Sequence, residues 1–361
     1  MTSAAEAWAS RWPLAPLSGY LLTIAVIVGL ILPRIAITRS SALFLLFGLG
    51  SLGLTWSHML LYFRWSFENS AQQADAALST WTAADWLSKT SLFKEAWFTV
   101  CRLPERWWWS AQLCTFTTGT WTPFLWAESQ RRQIRHAWLF MLMGQMVAIS
   151  VASSLFFAAW LAATSTTIPM KDTRLLTQIC ILAVASVLFV PGTITPKGAQ
   201  SNFLPVILGM HAIIISPLVW RAREPSSPAN EQRLRGTYLV SALMSGLIHL
   251  VNYVAVFERV TDQPDLLART GRVMQLLEET ISIHPAQSSI TWDTIMTSAV
   301  ACLWILIDVR KQPLSSILSA VGLVLATPIA SAGVTVPLYL AMRERQLDLA
   351  RAQPTKTIKS T

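Results

Sequence analysis

The sequence predicts an all-α protein, a polytopic bundle of transmembrane helices, and three observations carry that prediction. Only 13% of its 361 residues are charged while 53% are hydrophobic, whereas a soluble chain typically carries about 25% charged residues. Mean hydropathy is +0.46. Apolar runs recur along the whole chain, several approaching the roughly 20 residues that cross a bilayer.

The first run, 17–32, has the length of a secretory h-region. Pro33 and Arg34 follow it where a small-residue cleavage site would stand, so it is expected to remain as a signal anchor. Further runs at 42–63, 137–163, 175–190, 203–220, 237–257, 290–307 and 314–342 bring the expectation to about eight spans. Seven to nine are allowed, depending mainly on 107–126. The centre of that segment, from Thr117 to Pro123, suits a broken or re-entrant piece packed inside protein. Between spans, 64–106 sets Trp81, Trp86, Trp97 and Phe98 among balanced charges, as helices in the headgroup interface do. Residues 1–345 read as one integral-membrane domain and 346–361 as a polar, disordered tail.

A formal charge of +9 in a soluble chain would point to nucleic acid. Here the bases sit in short loops, at Arg34 and Arg39, in 221–235, and at Arg310 and Lys311, which is how membrane orientation is set. With eight spans these loops share one side. The basic tail from Arg343 to Lys359 then falls on the other, so the charge rule points both ways.

Cys101, Cys114, Cys180 and Cys302 have no paired spacing, so neither a disulfide framework nor a zinc site is indicated. No DDxxD or DxDD box, HExxH, GxGxxG or P-loop is present, and no metal or other cofactor is expected. The chemistry-bearing residues are instead polar groups inside apolar runs, where an unpaired group is costly and usually functional. Gln145 interrupts 137–163 and suits an interhelical hydrogen bond or a cavity. His249, Asn252 and Tyr253 share one helical face, which lines either a cavity or a helix contact. Asp293, Thr297, Val300 and Trp304 share another. An aspartate in a first turn also serves as a helix-start charge. Facing a cavity, a protonated carboxyl there is what proton-initiated chemistry on an alkene or epoxide needs. Glu128 is the second candidate acid or a final base, or an interfacial ion pair with Arg131 and Arg132. Indole faces stabilise carbocations, and Trp107, Trp108, Trp109, Trp121, Trp292 and Trp304 are the candidates for a cavity wall.

The run Trp107-Trp108-Trp109-Ser110-x-Gln112-Leu113, then Phe116-Thr117-x-Gly119-x-Trp121-Thr122, and His136-x-Trp138 leading to Gly144-Gln145-x-Val147-Ala148-Ile149-Ser150, resembles fungal integral-membrane terpene cyclases of meroterpenoid, epoxycyclohexenone and indole-diterpene pathways. The Trp292-Asp293 start of a late span looks similar too. The resemblance implies metal-independent, proton-initiated cyclisation of a prenyl chain in the endoplasmic reticulum membrane. The partners it implies are a lipophilic prenylated substrate, membrane lipid and pathway enzymes in the same membrane. Asp293 as acid, Glu128 as alternative, and His249 with Asn252 and Tyr253 as orienting or terminating groups rest on the physical argument alone. Two other readings are an exporter of a hydrophobic metabolite and a non-catalytic scaffold, the latter expecting solid packing around Asp293.

Because no acid cluster able to hold magnesium on a diphosphate exists in the sequence, turnover is expected to survive chelation. Activity lost in EDTA and restored by magnesium would reject a metal-free mechanism.

Overall fold

A computed structural model describes residues 12–164, 171–190, 203–219, 227–263 and 265–352, and among these residues every regular element is helical. In chain order they are α1 (Ala15–Ile31), α2 (Arg39–Gln73), α3 (Ala83–Lys89), α4 (Leu92–Cys101), α5 (Pro104–Phe116), α6 (Thr122–Arg131), α7 (Ala137–Met146), α8 (Ile149–Ala162), α9 (Arg174–Ser186), α10 (Phe203–Val219), α11 (Pro228–Phe257), α12 (Leu266–Ser282), α13 (Pro285–Asp308), α14 (Leu314–Ala330) and α15 (Ala332–Ala352). Among the described residues, four helices are long and apolar enough to cross a membrane: Ala15–Arg34, Arg39–Gln73, Ala229–Phe257 and Pro285–Asp308. Shorter apolar helices surround them, including Ala137–Met146, Ile149–Ala162 and Leu314–Ala330.

Local chemistry fixes several starts. Thr38 opens α2 with a reciprocal capping box, its hydroxyl accepting from Ser41 N at 3.1 Å while Ser41 Oγ accepts from Thr38 N at 2.7 Å. Asp265 caps α12 through Ala268 N at 2.8 Å. His284 caps α13, its Nδ1 accepting from Ala286 N at 3.2 Å. Burial, and then the neighbouring Arg106, push the His284 imidazole down to about 4, so it stays neutral and able to accept.

Three expectations are corrected. The segment 107–126 is not re-entrant. α5 runs through a π-helical turn, Thr117–Trp121, directly into α6. Pro123 has no N–H to continue the α-helical ladder, and the wider turn sits just before it. Thr122 and Thr117 hydroxyls bond the carbonyls of Thr117 and Leu113 at 2.8 and 2.7 Å, which gives those two carbonyls of the loosened turn a partner.

The broken helix lies instead at 137–163, read above as one span. α7 has 10 residues and α8 has 14, about 15 and 21 Å at 1.5 Å per residue, and the two fold back on each other. Phe140 meets Phe156 at 5.2 Å between ring centroids. A Cβ on Gly144 would lie 3.4 Å from that of Ala152 and 2.7 Å from Ile149 Cδ1, so any larger residue there would require the Ile149 side chain to move. Arg132, just before α7, donates to the carbonyls of Trp160 and Ala163 at 3.0 and 2.9 Å. Both ends of the hairpin are therefore at the same end of the bundle.

The run 314–342 likewise splits. Ser331, at φ 75°, turns α14 into α15, and the pairs Thr327–Thr335 and Ser316–Gln346, both at 2.7 Å, show the two helices antiparallel. α15 continues through Ala352, so the start of the expected tail is helical, while 353–361 lie outside the described residues. Arg343 bonds Asp308 at 2.9 Å, which sets the end of α15 beside Arg310. Arg343, which the eight-span count had put on the side opposite Arg310, thus lies at the same end as Arg310.

The two hairpins pack on a frame formed by α2, α11 and α13. Gly119, in the π turn, lies where a Cβ would come within 2.7 Å of Val184 on α9 and 3.0 Å of Ser241 on α11. Gly119→Val is expected to cost about 1–3 kcal/mol through overpacking, read as a lowered melting temperature in detergent. An unchanged melting temperature would show the three helices free to part there.

Candidate functional site

The break between α7 and α8 strips the start of α8 of acceptors. Ala148 is extended (φ −172°, ψ 142°) and no side chain of the hairpin caps the helix. The first N–H groups of α8 have no intrahelical partner, and at membrane depth they need one. Asp293 supplies it from α13. Its Oδ2 accepts from Ile149 N at 3.0 Å and its Oδ1 from Ser150 N at 2.8 Å, with the Thr297 hydroxyl 3.4 Å from Oδ1. A carboxylate at a helix N-terminus is also favoured by the helix dipole.

The same carboxyl borders a cavity of about 460 Å³. The hairpin tip, residues 144–149, forms one wall. α2 contributes Thr55, Met59, Tyr62 and Phe63, α4 adds Phe93 and Trp97, and Thr117 and Thr118 face it from the π turn. Tyr20 of α1 lines it and donates its hydroxyl to the Met146 carbonyl, closing the other side of the break. Ser186 of α9, His211 of α10 and Ser289 of α13 add to the polar lining, in which Asp293 is the one carboxyl among the described residues. Leu182 and Ile213 line the cavity and are also 69% and 52% exposed, so the space reaches the outer apolar surface at α9 and α10.

Of the candidate site residues named from the sequence, Asp293 and Gln145 lie at this cavity. The Gln145 amide donates to the His211 carbonyl at 3.2 Å, which ties the hairpin to α10 as the interhelical reading expected. The others are elsewhere. Trp107 is buried in the apolar cluster that also contains Tyr62 and Trp86. Trp108 packs with Val256, Val273 and Leu277, and Trp109 donates to the Leu277 carbonyl at 3.1 Å. Gln112 bonds back to the Trp108 carbonyl at 3.2 Å. Trp121 belongs to a solid aromatic core with Phe124, Phe156 and Phe157. His249 contacts the Ile329 carbonyl at 3.0 Å and the Trp108 ring, while Tyr253 lies against Phe257. Asn252, buried on α11, and Trp292, half-buried on α13, are not among the lining residues.

Glu128 is an ion-pair residue, but a buried one. Arg131 and Arg343 donate to its Oε1 at 2.9 and 2.8 Å, and the Trp160 indole donates to Oε2 at 2.6 Å. Arg131 also grips Glu344, and Arg343 reaches Asp308, which accepts from Tyr339 at 2.7 Å. Arg132 lies 3.8 Å from Glu128 and over the Trp160 ring at 3.5 Å. Three carboxylates thus face three guanidinium groups where α6, α8, α13 and α15 meet.

His211, Tyr20 and Ser289 were missed. His211 sits in the apolar run FLPVILGMHAIIIS, and the logic that selected His249 applies equally to it. Tyr20 and Ser289 carry no comparable signal. Among the described residues, no three His, Cys, Asp or Glu side chains gather where a metal could be held.

A family model described as a protein of unknown function, DUF2834, matches residues 238–345. That stretch runs from α11 into α15 and includes Asp293. No curated protein and no solved structure matches the chain.

Glu128→Gln would leave buried guanidinium groups short of a counter-charge. Breaking such a pair costs about 3–5 kcal/mol, so the melting temperature should fall while any activity at permissive temperature persists. A normal melting temperature with lost activity would return Glu128 to the catalytic candidates.

Proposed function

We propose that this chain is a multi-pass membrane terpene cyclase of the endoplasmic reticulum. Without a cofactor, it would cyclise the prenyl chain of a meroterpenoid or related metabolite from a terminal olefin or epoxide. The observation that carries the reading is Asp293, one carboxyl bordering an otherwise mostly apolar cavity. The volume lies within the range of about 300–1,000 Å³ usual for small-molecule sites. Its opening at Leu182 and Ile213 suits a substrate that arrives through the bilayer.

The catalytic problem is to protonate a weakly basic carbon or epoxide oxygen. An acid does this best when donors already wait for the charge it acquires. Ile149 N and Ser150 N are so placed, and the carboxylate left behind finds its hydrogen bonds made. The cation then runs along the prenyl chain among Tyr20, Tyr62, Phe63, Phe93 and Trp97, whose ring faces attract positive charge without offering a strong nucleophile.

One observation favours the exporter reading. A broken hairpin whose helix ends meet at a cavity is also how transporters build substrate sites. Uptake of a prenylated phenol by proteoliposomes, unchanged in structure on recovery, would establish it. The scaffold reading expects solid packing around Asp293 and finds open volume there instead.

Membranes carrying only this protein should convert a prenylated substrate to an isomer of equal mass. Asp293→Asn should lower that conversion by about 10²–10⁴-fold while the protein still accumulates, and Asp293→Glu should retain more activity than the amide. Normal conversion by Asp293→Asn would leave Asp293 as a helix cap alone.

A further inference from the structure

Cation chemistry that begins with a proton ends by giving one up, and the groups expected to take it do not reach the cavity. His249 is engaged with α14, and Glu128 is locked among arginines at the far end of α6. The cavity holds one imidazole, His211. Its Nδ1 lies 2.7 Å from the Ile207 carbonyl. A carbonyl only accepts, so Nδ1 carries the proton and Nε2 presents a free lone pair. The ring is held edge-on to Trp97, 5.5 Å between centroids, and its own carbonyl receives the Gln145 amide. The ring and the backbone of His211 are thus tied to α4 and α7, and the residue lines the same cavity as Asp293.

We propose that His211 is the catalytic base that terminates the reaction, an inference that rests on the cyclase reading above. The electron balance closes without a co-reactant. The π pair of the terminal alkene takes the Asp293 proton and forms a C–H bond, leaving a tertiary cation. The π pair of an internal alkene forms the ring C–C bond and moves the cation along the chain. His211 Nε2 then removes a proton from the carbon beside the final cation, and that C–H pair becomes the new C=C. Substrate and product have the same formula. Asp293 is left as carboxylate and His211 as imidazolium, and proton exchange after product release resets both. In a substrate with a terminal epoxide, the first proton goes to oxygen and the C–O bond breaks; the last step is unchanged.

The base fixes where the final double bond forms, which separates its role from a structural one. In His211→Asn the amide can still donate to the Ile207 carbonyl but offers no basic nitrogen. Membranes bearing wild type or variant would be given a farnesyl-substituted hydroquinone and its terminal epoxide, with products resolved by chromatography and mass. The variant is expected to consume substrate at no less than about a tenth of the wild-type rate, since Asp293 still starts the reaction. Its products should shift to double-bond isomers and to alcohols formed by water capture, and imidazole added to His211→Ala should restore the original olefin. The proposal is overturned if His211→Asn gives the wild-type product pattern, or if all products fall together in both variants with no response to imidazole. Wild-type membranes that convert neither substrate would remove the cyclase reading and this role with it, whereas a normal pattern from the variant removes only the role of His211.

Discussion

The contact between the Asp293 carboxyl and the first two amides of α8 is the constraint on which the rest of the site depends. A chain that turns back inside an apolar bundle exposes backbone groups that water cannot reach, each costly if left unpaired. The hairpin of α7 and α8 can exist only if another element supplies an acceptor, and α13 does so with both carboxylate oxygens. Tyr20 serves the opposite lip by donating to the Met146 carbonyl. A break stabilised from both sides, with Gln145 tying the tip to α10, leaves between the tip, α2 and α4 the space that is the cavity.

The opposite end of the bundle is built on the reverse principle. There Glu128, Asp308 and Glu344 meet Arg131, Arg132 and Arg343 with little room for solvent. A buried ion network gives less net stability than apolar packing would, because desolvation offsets most of the attraction. What it does provide is position. Arg343 can satisfy Glu128 and Asp308 together only if α15 returns to the end from which α14 started. The network therefore fixes the second hairpin in register with α6 and α13. A buried ion cluster holds helices at one end, while toward the other, among the described residues, one carboxyl borders the cavity.

The helical membrane character was legible because it depends on composition and on the length of apolar runs, and both survive whatever the tertiary arrangement is. Asp293 and Gln145 were legible for a related reason: a polar group in an apolar run must find a partner or a cavity, and these two found both. The aromatic wall was not. Indoles at 107–109 and 121 carry the strongest local signal in the chain, but a large apolar ring is as well suited to filling a core as to lining a cavity, and Trp121 fills one. Nor was the hairpin. Residues 137–163 contain no proline, and their one glycine, Gly144, reads as ordinary in an apolar helix. The turn at Val147 and Ala148 is stabilised by Asp293, 144 residues beyond Ile149 in the chain, and no window on the local sequence contains that partner. By contrast, the π turn carried its cause in Pro123, and only the sense of the distortion was misread.

The dual position of Asp293, structural cap and cavity carboxyl, is a coherent demand of one chemistry. In the cyclase reading the acid, once deprotonated, becomes the nearest anion to a carbocation, and collapse of the two into an ester would end turnover. An oxygen that already accepts a hydrogen bond from a backbone amide holds its charge more tightly and attacks more weakly. Two such bonds, one to each oxygen, restrain both. The amides belong to a helix start and move only if the hairpin moves, so the restraint does not relax as the proton leaves. A carboxyl on an unbroken helix, satisfied by side chains free to change rotamer, would lack this protection. In that reading, the broken helix gives the acid the environment that proton-initiated chemistry requires.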